Sequence, residues 1–385
     1  MKKIALLLIC LLAAPSALAA PLKAFEGGKL YRSGKIDILV LEGTYKEMGR
    51  QYGGLIQKKI RQFYQIAIEE RFIRKQKIPL ELMKQFSAGA FALYPKRLKD
   101  ILYGMSETSG VALDKLIILE SILGLTFLHA EGAKAGHCSA IAAWGAYTGN
   151  GPLVMGRNYD STAFFKEEFA PYLNVVIYKP TDGVPTAVLA YAGEITSFTG
   201  MNAAGIFYGD NEAVKSGGAD TPTDRLVFYP SEVTFLLDFD TFPSFDAAMK
   251  TNLANFSFIV NVATQDQAYS YEMTPSATRR RTGAGFLAAT NDFADPAWNM
   301  KPPYDAADKS VQRREQLLAL GEKYKGQITA KRMMAIMDTP FVEGGATWPE
   351  RTAYQVVAVP AEKMLWLKLR DYQDWIGIEL GEYFR

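Results

Sequence analysis

The sequence predicts an α+β protein in which a mainly helical N-terminal third leads into a longer, strand-rich remainder. Three observations predict it. Helical apolar spacing dominates residues 44–128, short turn-bounded runs rich in β-formers dominate the chain after residue 138, and a strand, a Gly-rich turn and a second strand fill residues 136–160 between them.

Taken in order, Lys2 and Lys3, the apolar run 4–14 and the small-residue stretch Ser16-Ala17-Leu18-Ala19 read as a secretory signal cleaved after Ala19. The run falls short of the roughly 20 residues that span a bilayer, so no membrane span is expected after its removal. The expected location is the periplasm or the exterior. Loss of Lys2 and Lys3 takes Lys+Arg from 43 to 41 against 41 acidic residues, a formally neutral chain that gives nucleic acid no electrostatic footing. Cys10 leaves with the signal, so Cys138 stands alone and no internal disulfide can form.

Residues 25–43 carry the pattern of one or two strands. Thr44-Tyr45-Lys46-Glu47 is a capping box, and Met48, Tyr52, Leu55, Ile56, Ile60 and Phe63 follow at helical spacing to about residue 74. Gly49, Gly53 and Gly54 weaken that helix by about 1 kcal/mol each relative to alanine, which marks a close-packing surface. Further helices are expected over 80–92, 95–109 and 113–128, with Gly110 as a break. Strands then follow at 173–178, 186–191, 197–201, 205–209, 257–262, 268–272, 285–290, 354–359 and 364–369, in the manner of antiparallel sheets. Helices interrupt them at 230–237, 244–252, 310–323 and 329–338. Linker-like stretches fall at 215–223 and 295–309.

The chemistry centres on the hairpin. Cys138 begins its first strand, and Arg157 and Asp160 end its second, so a thiol meets a guanidinium and a carboxylate. If the His137–Cys138 peptide is cut, Cys138 carries both a nucleophile and an α-amine of pKa about 7.7 to 8.0, which serves as a base without any histidine. Arg157 would favour the thiolate and Asp160 would accept from the amine. The thiol can make the cut itself by attacking the carbonyl of His137.

Other constellations are poorer. The sequence holds two histidines, His129 and His137, and His137 adjoins Cys138, so strand alternation denies a papain-like pair. Gly283-Ala284-Gly285-Phe286-Leu287-Ala288 lacks the apolar strand that a dinucleotide turn needs, since Arg279-Arg280-Arg281 precedes it. No cofactor and no metal is expected.

The Cys-Ser start, the apolar strand, the Gly turn and Gly156-Arg157-Asn158-Tyr159-Asp160 resemble N-terminal-nucleophile hydrolases of the choloylglycine hydrolase and acyl-coenzyme A:6-aminopenicillanic-acid acyltransferase type. The long helical segment before the cysteine, with Gly43-Thr44-Tyr45-Lys46-Glu47-Met48-Gly49, is closer to the acyltransferase branch. The resemblance implies a four-layer αββα sandwich over 138–385, preceded by a helical pro-segment over 20–137 that stays associated. It implies that Asn291 in Ala289-Thr290-Asn291-Asp292 helps form an oxyanion hole, with Asn211 near the other donor. It also implies a catalytic arginine in Ser310-Val311-Gln312-Arg313-Arg314, here Arg313 rather than Arg314. Two positions depart from the pattern: His137 stands where small residues are common, and Asp292 where a histidine is often found.

The expected function is a self-processing cysteine hydrolase that cleaves a non-peptide carboxamide, such as an N-acyl amine, a bile-acid conjugate or a penicillin, through a Cys138 thioester. The partner is a small amide, and a homo-oligomer is left open. The alternatives are an acyltransferase that passes the acyl group to an amine, and a non-catalytic periplasmic binding protein on the same fold. The aromatic stretches Phe228-Tyr229, Phe235-Leu236-Leu237 and Phe239 to Phe245 are mostly expected in the core, and some of them, with Phe235 and Phe239 as the residues to test, are expected to line an acyl pocket beside the thiol.

Overall fold

Short strands with one or both faces apolar have to pair and stack to bury them, and here they build two sheets. The computed structural model describes residues 20–121, 124, 137–218, 224–225, 228–253, 255–304 and 307–385; the expected signal segment 1–19, His129 and part of the 215–223 stretch lie outside these. The larger sheet has the order β1 (Lys23–Phe25), β2 (Gly28–Ser33), β3 (Ile36–Gly43), β6 (Leu173–Pro180), β7 (Thr186–Tyr191), β8 (Thr199–Asn202), β9 (Phe207–Glu212), β10 (Phe258–Ala263), β11 (Ala268–Met273), β12 (Thr278–Arg281). The smaller has the order β13 (Phe286–Ala289), β4 (Ser139–Ala143), β5 (Val154–Asp160), β14 (Thr352–Val359), β15 (Met364–Leu369), β16 (Gln373–Glu379). All neighbours are antiparallel except β3 and β6, which run parallel with Leu39 opposite Val176.

Helices cover both outer faces. From the N-terminal segment come α1 (Tyr45–Leu55), α2 (Gln57–Tyr64), α3 (Leu80–Leu93), α4 (Lys96–Ser109) and α5 (Leu113–Glu120), with a wider π-helical stretch at Gln65–Lys75. With them on the large sheet lie α6 (Phe228–Asp238) and α7 (Phe242–Thr251); α8 (Ser310–Lys323) and α9 (Ala330–Asp338) cover the small one. The result is the four-layer αββα arrangement. Alternation along β4 and β5 assigns the layers: Cys138, Ala140, Ala142, Met155 and Tyr159 face the large sheet, whereas Ile141, Ala143 and Val154 pack on Met333, Met337 and Leu317 of the outer helices.

The N-terminal segment is built into this frame. Its strands number three rather than one or two, and β3 is buried because it is flanked on both sides. The capping box forms at Thr44 and Glu47, but the single long helix breaks at Ile56, whose φ of −124° leaves the helical range. The glycines do let helices touch: a Cβ on Gly49 would lie 2.0 Å from the carbonyl oxygen of Ile101 in α4. Phe63 of α2 stacks on Tyr172 and Tyr191 at 5.0 and 5.6 Å, and Glu120 accepts from the backbone of Ile195. Aromatic burial of this kind is worth roughly 2 to 3 kcal/mol per ring, so a cut at residue 137 would leave two chains held together.

Strands β12 and β16 carry too many polar residues to be read from apolar alternation. Both are edge strands, where charged side chains reach solvent and block further pairing.

Candidate active site

The hairpin forms as its sequence requires. Ser139 pairs with Asn158 and Ala143 with Val154, and the turn is closed by Gly149 and Asn150, both at φ 63°. This brings Cys138, one residue ahead of β4, beside the end of β5. Its buried thiol donates to the carbonyl oxygen of Asp160 at 3.7 Å, and Nη2 of Arg157 stands 4.0 Å from the sulfur.

Arg157 and Asp160 are three residues apart in a strand, so their side chains leave by opposite faces. Arg157 enters the space between the sheets, where Gly209 of β9 makes room: a Cβ there would lie 2.3 Å from its Cδ. Arg157 donates to the carbonyl of Asp210 and, at 3.4 Å, to the hydroxyl of Tyr354, which stacks on Tyr159 at 4.8 Å. Burial pushes the Cys138 thiol up to about 11, and the nearby Arg157 only partly opposes this. In the intact chain the arginine therefore does not make a thiolate at neutral pH, because desolvation outweighs its charge.

Asp160 turns toward β14. Burial raises its carboxyl to about 7, while the Thr352 hydroxyl, donating to Oδ1, draws it down. Its Oδ2 is buried and has no partner among the described residues. That free acceptor is what an amine on Cys138 would need.

The second arginine approaches from α8. Arg313 is wholly buried; its Nη1 donates to the carbonyl oxygens of His137 and, at 3.0 Å, of Cys138, its Nη2 to Oδ1 of Asn291 at 2.8 Å, and its Nε to the carbonyl of Asp308 at 2.8 Å. Arg314 points away and pairs with Asp292 at 2.8 Å. Asp292 also accepts from Thr290 at 2.9 Å and Ser310 at 2.6 Å, so the residue that departs from the family pattern pins β13 to the start of α8.

The two asparagines are braces in this state. Asn211 donates to the carbonyl of Thr290 at 2.8 Å and Asn291 to that of Glu212 at 2.7 Å, so each ties one sheet to the other. The donor that reaches the His137 carbonyl is Arg313.

His137 is buried as well. Its Nε2 lies 2.5 Å from Nη1 of Arg351 and its ring 5.9 Å from that of Trp348. Burial, with Arg313, Arg351 and Lys215 nearby, lowers it to about 3, so it is neutral at ordinary pH. Trp348, Arg351, Thr352 and Tyr354 were not legible as site residues, since they come some two hundred positions later and carry no spacing signal; only the strand holding Tyr354 was. Phe235 and Phe239 prove not to line the thiol. They pack on each other at 5.9 Å and near Phe245 in the outer helix layer, on the face of the large sheet away from Cys138.

Among the described residues, no cluster of His, Cys, Asp or Glu could hold a metal, and no helix is long and apolar enough to cross a membrane.

No family model matches the chain, and no curated protein does. Among solved structures it is similar to the N-acylethanolamine-hydrolyzing acid amidase ortholog of Caenorhabditis elegans, with 17% identity, 58% of this chain and 93% of that chain covered, and a TM-score of 0.41. It is similar to a variant of the conjugated bile acid hydrolase of Clostridium perfringens, with 12% identity, coverages of 64% and 93%, and a TM-score of 0.45. The penicillin V acylase of Agrobacterium tumefaciens gives 12% identity, coverages of 63% and 86%, and a TM-score of 0.41.

Proposed function

We propose that this chain is a self-processing cysteine amidohydrolase that cleaves a small carboxamide through a thioester on Cys138. The observation that carries the reading is the environment of one peptide bond: the carbonyl of His137 accepts from the buried guanidinium of Arg313, and the thiol of the next residue lies against Asp160 and Arg157. A carbonyl held by a fixed cation is activated toward its neighbouring nucleophile, and donors set at a developing oxyanion are commonly worth a factor of about 100 to 1,000 in rate.

In the first reaction the Cys138 sulfur adds to the His137 carbonyl carbon and the carbon–nitrogen bond breaks. The thiol proton passes to the nitrogen, and water then opens the thioester. A carboxylate remains on His137 and a free amine on Cys138. In the second reaction that amine takes the thiol proton, the sulfur adds to the substrate carbonyl, the departing amine leaves with the proton, and water then opens the acyl thioester to give the acid and the free thiol. Asp160 Oδ2 accepts from the Cys138 amine throughout. Transfer of the acyl group to an amine in place of water is the same chemistry with another acceptor. The export signal sets this reaction in the periplasm or outside the cell.

Intact mass of the purified protein against Cys138→Ala tests the reading. We expect two chains divided between His137 and Cys138 in the wild type and one chain in the variant, with amide hydrolysis in the wild type only. A single uncut chain in both, without turnover, would leave a binding protein on this fold.

A further inference from the structure

During self-cleavage His137 is the acyl group: its carbonyl carbon moves from the nitrogen of Cys138 to the sulfur, and its side chain stays where it was. The acyl group of a substrate reaches the same thioester with its carbonyl on the same atom and beside the same Arg313. The space that holds the His137 ring is therefore the space next to a bound acyl carbonyl. This argument rests on the function proposed above.

That space is built for a ring. Trp348 lies 5.9 Å from the imidazole and is itself stacked on Phe341 at 5.0 Å. Arg351 meets the far ring nitrogen, Nε2, at 2.5 Å. The indole N–H of Trp348 is buried and has no partner among the described residues. When the thioester opens and His137 withdraws, Arg351 loses its acceptor, and Trp348 loses the ring beside it.

We infer that the pocket vacated by His137 is the acyl-side specificity subsite, and that it takes a short acyl group ending in a flat ring with a hydrogen-bond acceptor on its far edge. A flat ring keeps its contact with Trp348, and the acceptor replaces Nε2 opposite Arg351. A long saturated chain offers neither. Arg351 and Trp348 are then specificity residues, separate from the groups that act on the carbonyl.

The test uses processed full-length enzyme and three 4-nitroanilides that differ only in the acyl group: 3-(imidazol-4-yl)propanoyl, 3-phenylpropanoyl and dodecanoyl. Active sites are counted by the processed fraction in the intact mass. We expect kcat/KM for the imidazolyl amide to exceed that of the phenyl amide on the order of tenfold, because only the imidazole offers Arg351 the acceptor that it meets in the intact chain, and both to exceed the dodecanoyl amide, which keeps neither that bond nor the ring contact with Trp348. Arg351→Met should bring the imidazolyl-to-phenyl ratio close to one, and Trp348→Ala should erase the advantage of both rings over dodecanoyl. A preference for dodecanoyl in the wild type, or a ratio that survives Arg351→Met, overturns the inference while the hydrolase reading stands. If no amide is turned over faster than by Cys138→Ala, both fall. Should Arg351→Met not mature, His137→Phe reads the same subsite: self-cleavage is expected to slow by the factor that separates the two ring amides, and an unchanged rate overturns the assignment.

Discussion

Two fully buried arginines flank Cys138, and they are held in opposite ways. Arg313 is fully engaged: its three nitrogens donate to four defined oxygens, with Nη1 alone meeting the carbonyls of His137 and Cys138. Arg157 is engaged at fewer points: its Nη2 donates to the carbonyl of Asp210 and stands 4.0 Å from the sulfur, its bond to Tyr354 is long at 3.4 Å, and its Nε has no partner among the described residues. The difference teaches a division of labour. A fully satisfied guanidinium keeps a fixed position and suits a carbonyl that must be polarised in one direction. One with an N–H to spare keeps donor capacity for a sulfur whose charge changes during the reaction.

The largest expected effect tests the fixed arginine. Arg313→Met should slow self-cleavage by about 100-fold or more, the cost of losing a preorganised oxyanion donor. Time courses of intact mass would show it, and Arg313→Lys should recover part of the rate. Equal processing in Arg313→Met would break the comparison.

Arg157→Met should cost less, about tenfold in kcat/KM of processed enzyme, because burial already dominates the thiol and the arginine offsets only part of it. The sign is definite. Loss of the cation raises the thiol pKa further, so the activity lost should be recovered in part as the pH is raised.

A smaller effect concerns the carboxylate on the other face of β5. Asp160 titrates near 7, and Thr352 lowers that value by its hydrogen bond. Activity that needs the ionised carboxylate should rise as pH passes through about 7. Thr352→Val removes the donor, so this limb should move to higher pH by roughly one to two units, since a bond to a charged group is worth about 1.5 to 3 kcal/mol and one unit is about 1.4. A limb unmoved in a pH–rate profile would assign the titration to another group.

Arg314→Met should change self-cleavage least, by no more than about threefold, although it strands the buried Asp292 and should lower thermal stability by about 3 kcal/mol. If it matched Arg313→Met in processing rate, the fixed arginine would be acting through the Asp292 network and not at the carbonyl.

Several features were open to a reader of the sequence because they are local. The capping box at Thr44, the left-handed stop at Gly110 and the hairpin from Cys138 to Asp160 each follow from residues within a few positions of one another. The close-packing glycines of α1 were legible for the same reason, though their partner α4 was not. Edge strands β12 and β16 escaped because their polar side chains face water, and nothing in alternation distinguishes that from a loop.

By itself the sequence determined the α+β class, the place of the candidate nucleophile, and the hairpin that brings Arg157 and Asp160 beside it. Only the tertiary structure decided what surrounds the His137–Cys138 bond. Arg313 reaches the His137 carbonyl because α8 packs behind the small sheet, and Arg351 and Trp348 reach the His137 ring because β14 lies beside β5. The structure also reversed the charge argument at the sulfur, for a reason that spacing does not record: burial acts on every ionisable group in proportion to the water it loses, and that loss is fixed only when the two sheets close on each other.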